Sequence, residues 1–303
     1  MQPLMSSRKT ELPSATAPFA LSRRQLILSG LSTTLLQAKD RLAGLRIGVT
    51  DWNLRSAGNV EGVALAKRLG FDGVEVSLGR KIANNKLPLD NPEVQDQYLA
   101  AASKEGIRLA GTCLDVLHVN YLKSDPLGLK WVADGIPITA KLKARVMLLP
   151  FFGKGALQTR AEMEYVGDAL RDLAPAAEKA GVLLGLEDTI SAEDNARIMD
   201  RTRSRAVLTY YDVGNSTMAG FDPVKEIRWL GRDRICQFHL KDNPHFLGEG
   251  KIDFAGVMES IASLGGFQGF ANLETVTPTQ QLNADMGRNL GFIRRLVDQS
   301  RNG

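Results

Sequence analysis

The chain is poor in the residues that staple or ligate small domains. It has two cysteines, Cys113 and Cys236, and three histidines, at 118, 239 and 245, in 303 residues. Each cysteine falls in a predicted strand, and their spacing makes neither a zinc knuckle nor a disulfide framework. Both read as plain buried thiols. An excess of one charge sign is also missing from the folded part. The formal net charge is +4, but residues 1–38 hold Arg8, Lys9, Arg23 and Arg24 against Glu11, and the rest carries 34 basic and 33 acidic residues. Near-neutrality argues against a nucleic-acid-binding face. The most apolar stretch, in 22–38, is too short to span a bilayer as a stable helix, so no stable membrane insertion is expected. No GxGxxG follows the first predicted strand, which leads into TDWNLRSAGN; that speaks against an open dinucleotide-binding sheet. No arginine and lysine cluster with a glycine-rich loop follows the last two predicted strands, where such barrels hold phosphate. In LGEGKIDF (247–254) Glu249 and Asp253 flank the only lysine.

What remains is ordinary globular composition, 44% hydrophobic and 24% charged, with length enough for one large barrel. Residues 1–20 are rich in Ser, Pro, Thr and Ala without periodicity, so disorder is expected there. SRRQLILSGLSTTLLQA (22–38) resembles a twin-arginine secretory leader, with Leu26 and Leu28 where that motif usually has Phe and Lys. The expected organisation is a disordered tail and leader over 1–40 and one domain over 41–303. Export to the periplasm follows if the leader functions, and a cytoplasmic location if it does not.

From residue 45 onward, strand and helix patterns alternate. Strands are predicted at 45–52, 71–78, 107–114, 145–152, 182–187, 206–212, 234–240 and 269–274. Helices are predicted near 59–69, 92–105, 126–143, 159–180, 191–202, 223–230, 253–264 and 278–299. Pro92 and Pro223 suit first helical turns, Ser191 is a good N-cap, and Gly181 a good terminator. Eight strand–helix units predict an α/β fold, a (β/α)8 TIM barrel.

Four of these strands end in a good metal ligand: Glu187 in LGLEDT, Asp212 in YYDVGN, His239 in QFHLKDN and Glu274 in NLET. The intervals are 25, 27 and 35 residues, roughly one strand-plus-helix unit each. Singly, a Glu at a strand end is usually solvated, an Asp before Gly a turn former, and a His in an apolar strand a hydrogen-bonded core residue. Four in register at the C-terminal ends of successive strands converge on the barrel mouth. Three carboxylates and one imidazole suit Mn²⁺, Mg²⁺ or Co²⁺ better than a structural zinc site. Such an ion would polarise a sugar carbonyl and stabilise an enediolate, while a neighbouring carboxylate takes the adjacent proton. Lys241 shares the face of His239 and is expected to meet either a substrate oxygen or a carboxylate. Asn215 would bond substrate or hold its turn. Trp52 would wall a sugar ring or pack in the core. His118, in the loop after the third strand, would reach the pocket or solvent. Glu75, placed at the end of the second strand, would add a polar contact. Asp188 and Asp242 alternate away from the metal.

With GFDGVEV (70–76), YYDVGN, HLKDN and LGEGKIDF, the chain resembles the sugar phosphate isomerase/epimerase family of xylose-isomerase-like barrels over about 45–298. The resemblance implies one divalent ion, Mn²⁺ first among Mg²⁺, Co²⁺ and Zn²⁺. Its ligands would be Glu187, Asp212, His239 and Glu274, with Glu187 and Glu274 also the acid/base pair. It implies a small carbohydrate substrate and a homodimer or homotetramer. Many relatives have His three residues after the Asp; here Asn215 stands there, a departure from the ketose 3-epimerase pattern. Three histidines are too few for the trinuclear zinc site of the apurinic endonuclease branch. The leading expectation is an isomerase or epimerase acting on a neutral sugar or cyclitol. A lyase or dehydratase acting on an inosose or 3-keto-glycoside, and a non-catalytic sugar-binding barrel, are the alternatives.

Overall fold

The computed structural model describes residues 42–302; the expected tail and leader lie outside the described residues. Eight parallel strands close into a barrel in chain order: β1 (Leu45–Thr50), β2 (Gly73–Ser77), β3 (Arg108–Cys113), β4 (Val146–Pro150), β5 (Leu183–Glu187), β6 (Val207–Asp212), β7 (Ile235–Leu240) and β8 (Gly269–Leu273). β8 pairs with β1 from Leu45 opposite Gly269 to Val49 opposite Leu273. The strands are buried on both faces, as parallel strands under helices must be, and VMLLP of β4 and ICQFHL of β7 are buried throughout.

The helices are α1 (Glu61–Arg68), α2 (Pro92–Glu105), α3 (Pro126–Lys141), α4 (Arg160–Ala180), α5 (Ala192–Thr202), α6 (Val213–Met218), α7 (Pro223–Leu230), α8 (Phe254–Ser263) and α9 (Leu282–Asn302). Their ends follow local chemistry. Thr159 and Glu162 form a capping box at the start of α4, and Gly181 closes it in the left-handed region at φ 70°. Ser191 accepts from the Asp194 N–H at the start of α5, and Pro92 and Pro223 open α2 and α7, as expected. Most apolar burial lies between strands and helices. Inside the barrel a small cluster of Cys113, Val146, Leu148, Tyr210 and Cys236 fills the lumen, with both thiols buried and unpaired. No helix among the described residues is long and apolar enough to cross a membrane.

Three expectations need correction. The first strand ends at Thr50, not residue 52, because Asp51 and Trp52 turn into a loop over β2. The last helix starts at Leu282 rather than near 278, because Asp285 accepts from the Thr279 N–H and holds that segment as a turn. α6 was not anticipated. Asp212 ends β6 and at once caps α6, accepting from the N–H groups of Gly214 and Asn215. Six residues are too few to show a helical period.

Strand packing inside the barrel leaves no room at Gly48. A Cβ there would stand 1.9 Å from Asn272 Oδ1 on the neighbouring strand. Gly48→Ala is therefore expected to lower unfolding stability by about 1–3 kcal/mol, the usual range for overpacking. Urea denaturation checks this, and an unchanged midpoint would mean that Asn272 relocates freely.

Candidate metal centre at the barrel mouth

The closed barrel brings four strand ends to one place. Glu187 is the last residue of β5, Asp212 the last of β6, His239 the fifth of β7, and Glu274 the first beyond β8. The register sets Asp212 beside His239 and His239 beside Asn272. One ligand atom from each of Glu187, Asp212, His239 and Glu274 lies within 4.8 Å of the others. His239 is fully buried, Glu187 and Asp212 nearly so, and Glu274 partly. His239 Nδ1 is 3.0 Å from Glu187 Oε1, 3.5 Å from Glu274 Oε2 and 3.7 Å from Asp212 Oδ2.

Neighbouring side chains orient this set. Asp212 spends Oδ1 on the α6 cap, at 2.7 Å and 2.8 Å, so Oδ2 turns inward. Lys241 Nζ stands 2.7 Å from that oxygen as an ion pair and donates to Glu274 Oε2 at 2.6 Å. Trp52 Nε1 donates to Glu274 Oε1 at 3.0 Å, and its ring meets the His239 ring edge-on at 6.0 Å. Asn215 Nδ2 donates to Glu187 Oε1 at 3.2 Å. Beneath the imidazole lies Glu75, fully buried, with Oε2 2.8 Å from His239 Nε2. The same oxygen accepts from Tyr210 Oη at 2.8 Å and from Asn272 Nδ2 at 3.2 Å. Asn272 also donates to Tyr210 Oη and Gln237 Oε1.

Four acidic side chains thus meet one imidazole and one ammonium. Burial pushes the Asp212 carboxyl up to about 7; Lys241 opposes this, and Glu187 and Glu274 reinforce it. For Glu274, burial is outweighed by His239, Lys241 and the Trp52 hydrogen bond, which take it down to about 2. Burial would lower His239, but Glu187, Glu274 and Glu75 hold it well above the ordinary imidazole value. Burial would lower Lys241 too, and Asp212, Glu274 and Glu187 hold it above its ordinary value.

This donor set fits a divalent cation. The inward oxygen of Asp212 faces His239 and the Lys241 ammonium, and two cations oppose four acidic groups. Neutral imidazole is the ligating form, so uptake of an ion would expel the His239 proton. Nε2–H would then donate to Glu75, leaving Nδ1 for the metal.

The remaining expectations divide. Lys241 meets carboxylates, and Asn215 both sits in the α6 cap and reaches Glu187. Trp52 lies on the site wall with its indole N–H engaged. His118, on a 3₁₀ turn over Asp115–His118, stacks at 6.2 Å on Phe152 and makes no hydrogen bond to the four ligands among the described residues. Burial, aided by Arg80, lowers its imidazole pKa. Asp188 turns away to the Ile190 N–H and Asn195, and Asp242 to the N–H groups of Gly248 and Gly250. Glu75 is the main correction. It lies mid-strand in β2 inside the barrel, and not at the strand end. Nothing in the sequence pattern marks Tyr210 or Asn272. The available hint was a lone Glu between two valines in GVEVS, an acidic residue facing the lumen of a buried strand.

Comparison with known proteins agrees with this fold. The family model described as the xylose isomerase-like TIM barrel matches residues 63–296. A 2-epi-5-epi-valiolone 7-phosphate 2-epimerase from an Actinoplanes species is 26% identical over 229 residues, covering 73% of this chain and 82% of the relative. The structure of an L-ribulose 3-epimerase superposes with a TM-score of 0.69 at 18% identity, over 85% of this chain and 96% of that one. A D-psicose 3-epimerase from Clostridium cellulolyticum H10, solved with D-tagatose, gives a TM-score of 0.70 at 17% identity, over 83% and 99%.

Proposed function

The chain belongs to the xylose isomerase-like TIM barrel family, and from that premise we propose that it is a metal-dependent isomerase or epimerase of a sugar or cyclitol. The observation that carries this reading is the pair Glu187 and Glu274. Both approach His239 Nδ1, at 3.0 Å and 3.5 Å, from β5 and from beyond β8. A binder has no need of two carboxylates on one reacting centre, whereas proton transfer beside a carbonyl does. A divalent ion held by Glu187, Asp212, His239 and Glu274 would supply Lewis-acid polarisation of that carbonyl.

The protein's own groups do the rest. One of Glu187 and Glu274 removes the proton from the carbon beside the carbonyl, and the other returns one. Return to the opposite face of the same carbon inverts it, and return to the neighbouring carbon, with the hydroxyl proton passing to the former carbonyl oxygen, moves the carbonyl. Asn215 fixes Glu187, and Trp52 fixes Glu274, each by one hydrogen bond, so the two carboxylates keep their separation. The Lys241 ammonium offsets carboxylate charge and is placed to meet a substrate oxygen that approaches Glu274. The Trp52 face suits the apolar side of a sugar ring. His118 and Phe152 would line the outer approach.

The test is proton exchange. Full-chain protein loaded with Mn²⁺ is incubated in D₂O with neutral ketoses, inososes and keto-glycosides and followed by NMR. Deuterium should enter beside a carbonyl, stop on chelation and resume when Mn²⁺ or Co²⁺ is restored. An inverted or shifted product marks an epimerase or isomerase, and loss of a β-substituent marks a lyase. Exchange that continues in metal-free protein would overturn the metal dependence. Metal-loaded protein inert towards the whole panel would overturn the reading.

A further inference from the structure

The end of the barrel opposite the carboxylate cluster opens into a cavity of about 1240 Å³. Its lining includes Arg46, Arg108, Lys143, Arg145, Arg205 and Arg232, with Asp233 the only acidic residue among the described lining residues. Arg232 reaches Asp233 at 3.6 Å. The other five cations form no ion pair among the described residues. Elsewhere cations of both kinds occur: Arg160 pairs with Glu164, Arg201 with Asp168, Arg234 with Asp200 and Arg294 with Asp72, while Arg68, Arg80, Lys154 and Arg203 form no ion pair among the described residues. What sets these five apart is that they share one opening.

Their positions explain the gathering. Arg46 is the second residue of β1 and Arg108 the first of β3. Arg145 directly precedes β4, Arg205 precedes β6 by two residues, and Arg232 opens the turn into β7. Closure of the sheet sets these strand starts in a ring around an apolar floor that includes Leu109, Val146, Leu208 and Phe270. The Arg46 guanidinium lies 5.9 Å from the Phe270 ring centroid. Helix C-termini face this end too, and their dipoles favour nearby cations. That effect acts within a helix's last turn. It does not account for Arg46 in a strand, or for six cations around one cavity with a single acid.

We propose that this basin is a second binding site, for a ligand carrying several phosphate groups. Guanidinium forks match phosphate oxygens, and one multivalent anion relieves the mutual repulsion of the whole ring. The shared chemistry is the phosphate cluster, presented either by a free oligophosphate or by anionic lipid headgroups.

The experiment measures binding of the full chain to tripolyphosphate by calorimetry, and to phosphatidylglycerol–phosphatidylcholine vesicles by co-sedimentation. At least one probe should bind, more weakly as salt rises. The double variant R108Q/R145Q should bind it about tenfold more weakly or worse, because two charge-assisted contacts are lost. Neutral glutamines at exposed strand starts avoid forcing unfolding, and a melting curve of each variant confirms the fold. Arg160→Gln on the outer face of α4 is the control and should bind as the parent does. Binding of tripolyphosphate identifies a soluble ligand, and binding of vesicles alone identifies a lipid surface. If neither probe binds, if R108Q/R145Q binds as well as the parent, or if Arg160→Gln weakens binding equally, the basin is not a phosphate site.

Discussion

Glu187→Gln is expected to leave the barrel folded and to lower turnover by about 10²–10⁴-fold, the contribution usual for a positioned acid or base. Glutamine keeps the volume of the side chain at the end of β5, and its amide oxygen can still accept from Asn215 Nδ2. It cannot take a proton from carbon, and it is a weaker ligand for a hard cation. Loss of the ion adds to the deficit, so metal content must be measured alongside turnover. A variant with a full complement of metal and unchanged deuterium exchange would remove Glu187 from the chemistry. Circular dichroism and thermal melting separate this result from simple unfolding. Repulsion from Glu187 and Glu274 raises Asp212 in part, and its relief offsets some of the lost attraction between Glu187 and His239, so the metal-free fold should lose less stability than in Glu75→Ala.

Glu75→Ala is expected to act on stability first. Glu75 Oε2 serves His239 Nε2, Tyr210 Oη and Asn272 Nδ2 together, in a fully buried part of the lumen. Its removal relieves some repulsion with Glu187. The two carboxylates, however, are bonded to opposite nitrogens of one ring, so that repulsion acts over a longer path than the 2.8 Å contact it accompanies. Attraction at hydrogen-bond distance wins over repulsion across the ring. Stripping one partner from a buried ionic network costs about 3–5 kcal/mol. For a domain of this size each kcal/mol moves the melting temperature by about 2–4 °C, so a fall of roughly 6–20 °C is expected. Calorimetric melting of metal-free protein decides it, and an unshifted transition would mean that the network contributes nothing. Glu75→Gln keeps an acceptor for Tyr210 and should lose less stability. It no longer offers His239 Nε2 a carboxylate, so metal affinity should fall as well.

These two residues show how the site was written in the chain. Glu187 was legible because its evidence is local: a short apolar run, a carboxylate at its end, and three like segments spaced by one strand–helix unit. The same holds for Asp212, His239 and Glu274. Their strands are parallel and their ligands lie at the same end, so closing the barrel in chain order makes them meet without further information. The family motifs pointed to the same four positions. Helix ends were equally local, with Ser191, Pro92, Pro223 and Gly181 acting within a turn of their own positions.

Glu75 was not legible in this way. It sits 164 positions before its His239 partner. Only the closed ring brings β2 across the lumen to β7. Lys241 posed a choice that sequence could not make, between a substrate oxygen and a carboxylate, because it depends on distances of 2.6–2.7 Å between side chains from different strands. The basic basin was hidden for a related reason. A phosphate site that is local in sequence shows as a cluster after the last strands, whereas Arg46, Arg108, Arg145, Arg205 and Arg232 stand singly at strand starts from position 46 to position 232. The sequence alone determined the alternation of elements, their order, and which strand ends carry the candidate ligands, because periodicity and capping act over a few residues. Only the tertiary structure decided what lies beneath the imidazole, which cations lack partners, and what the two mouths of the barrel offer, because those follow from strands that meet only when the sheet closes on itself.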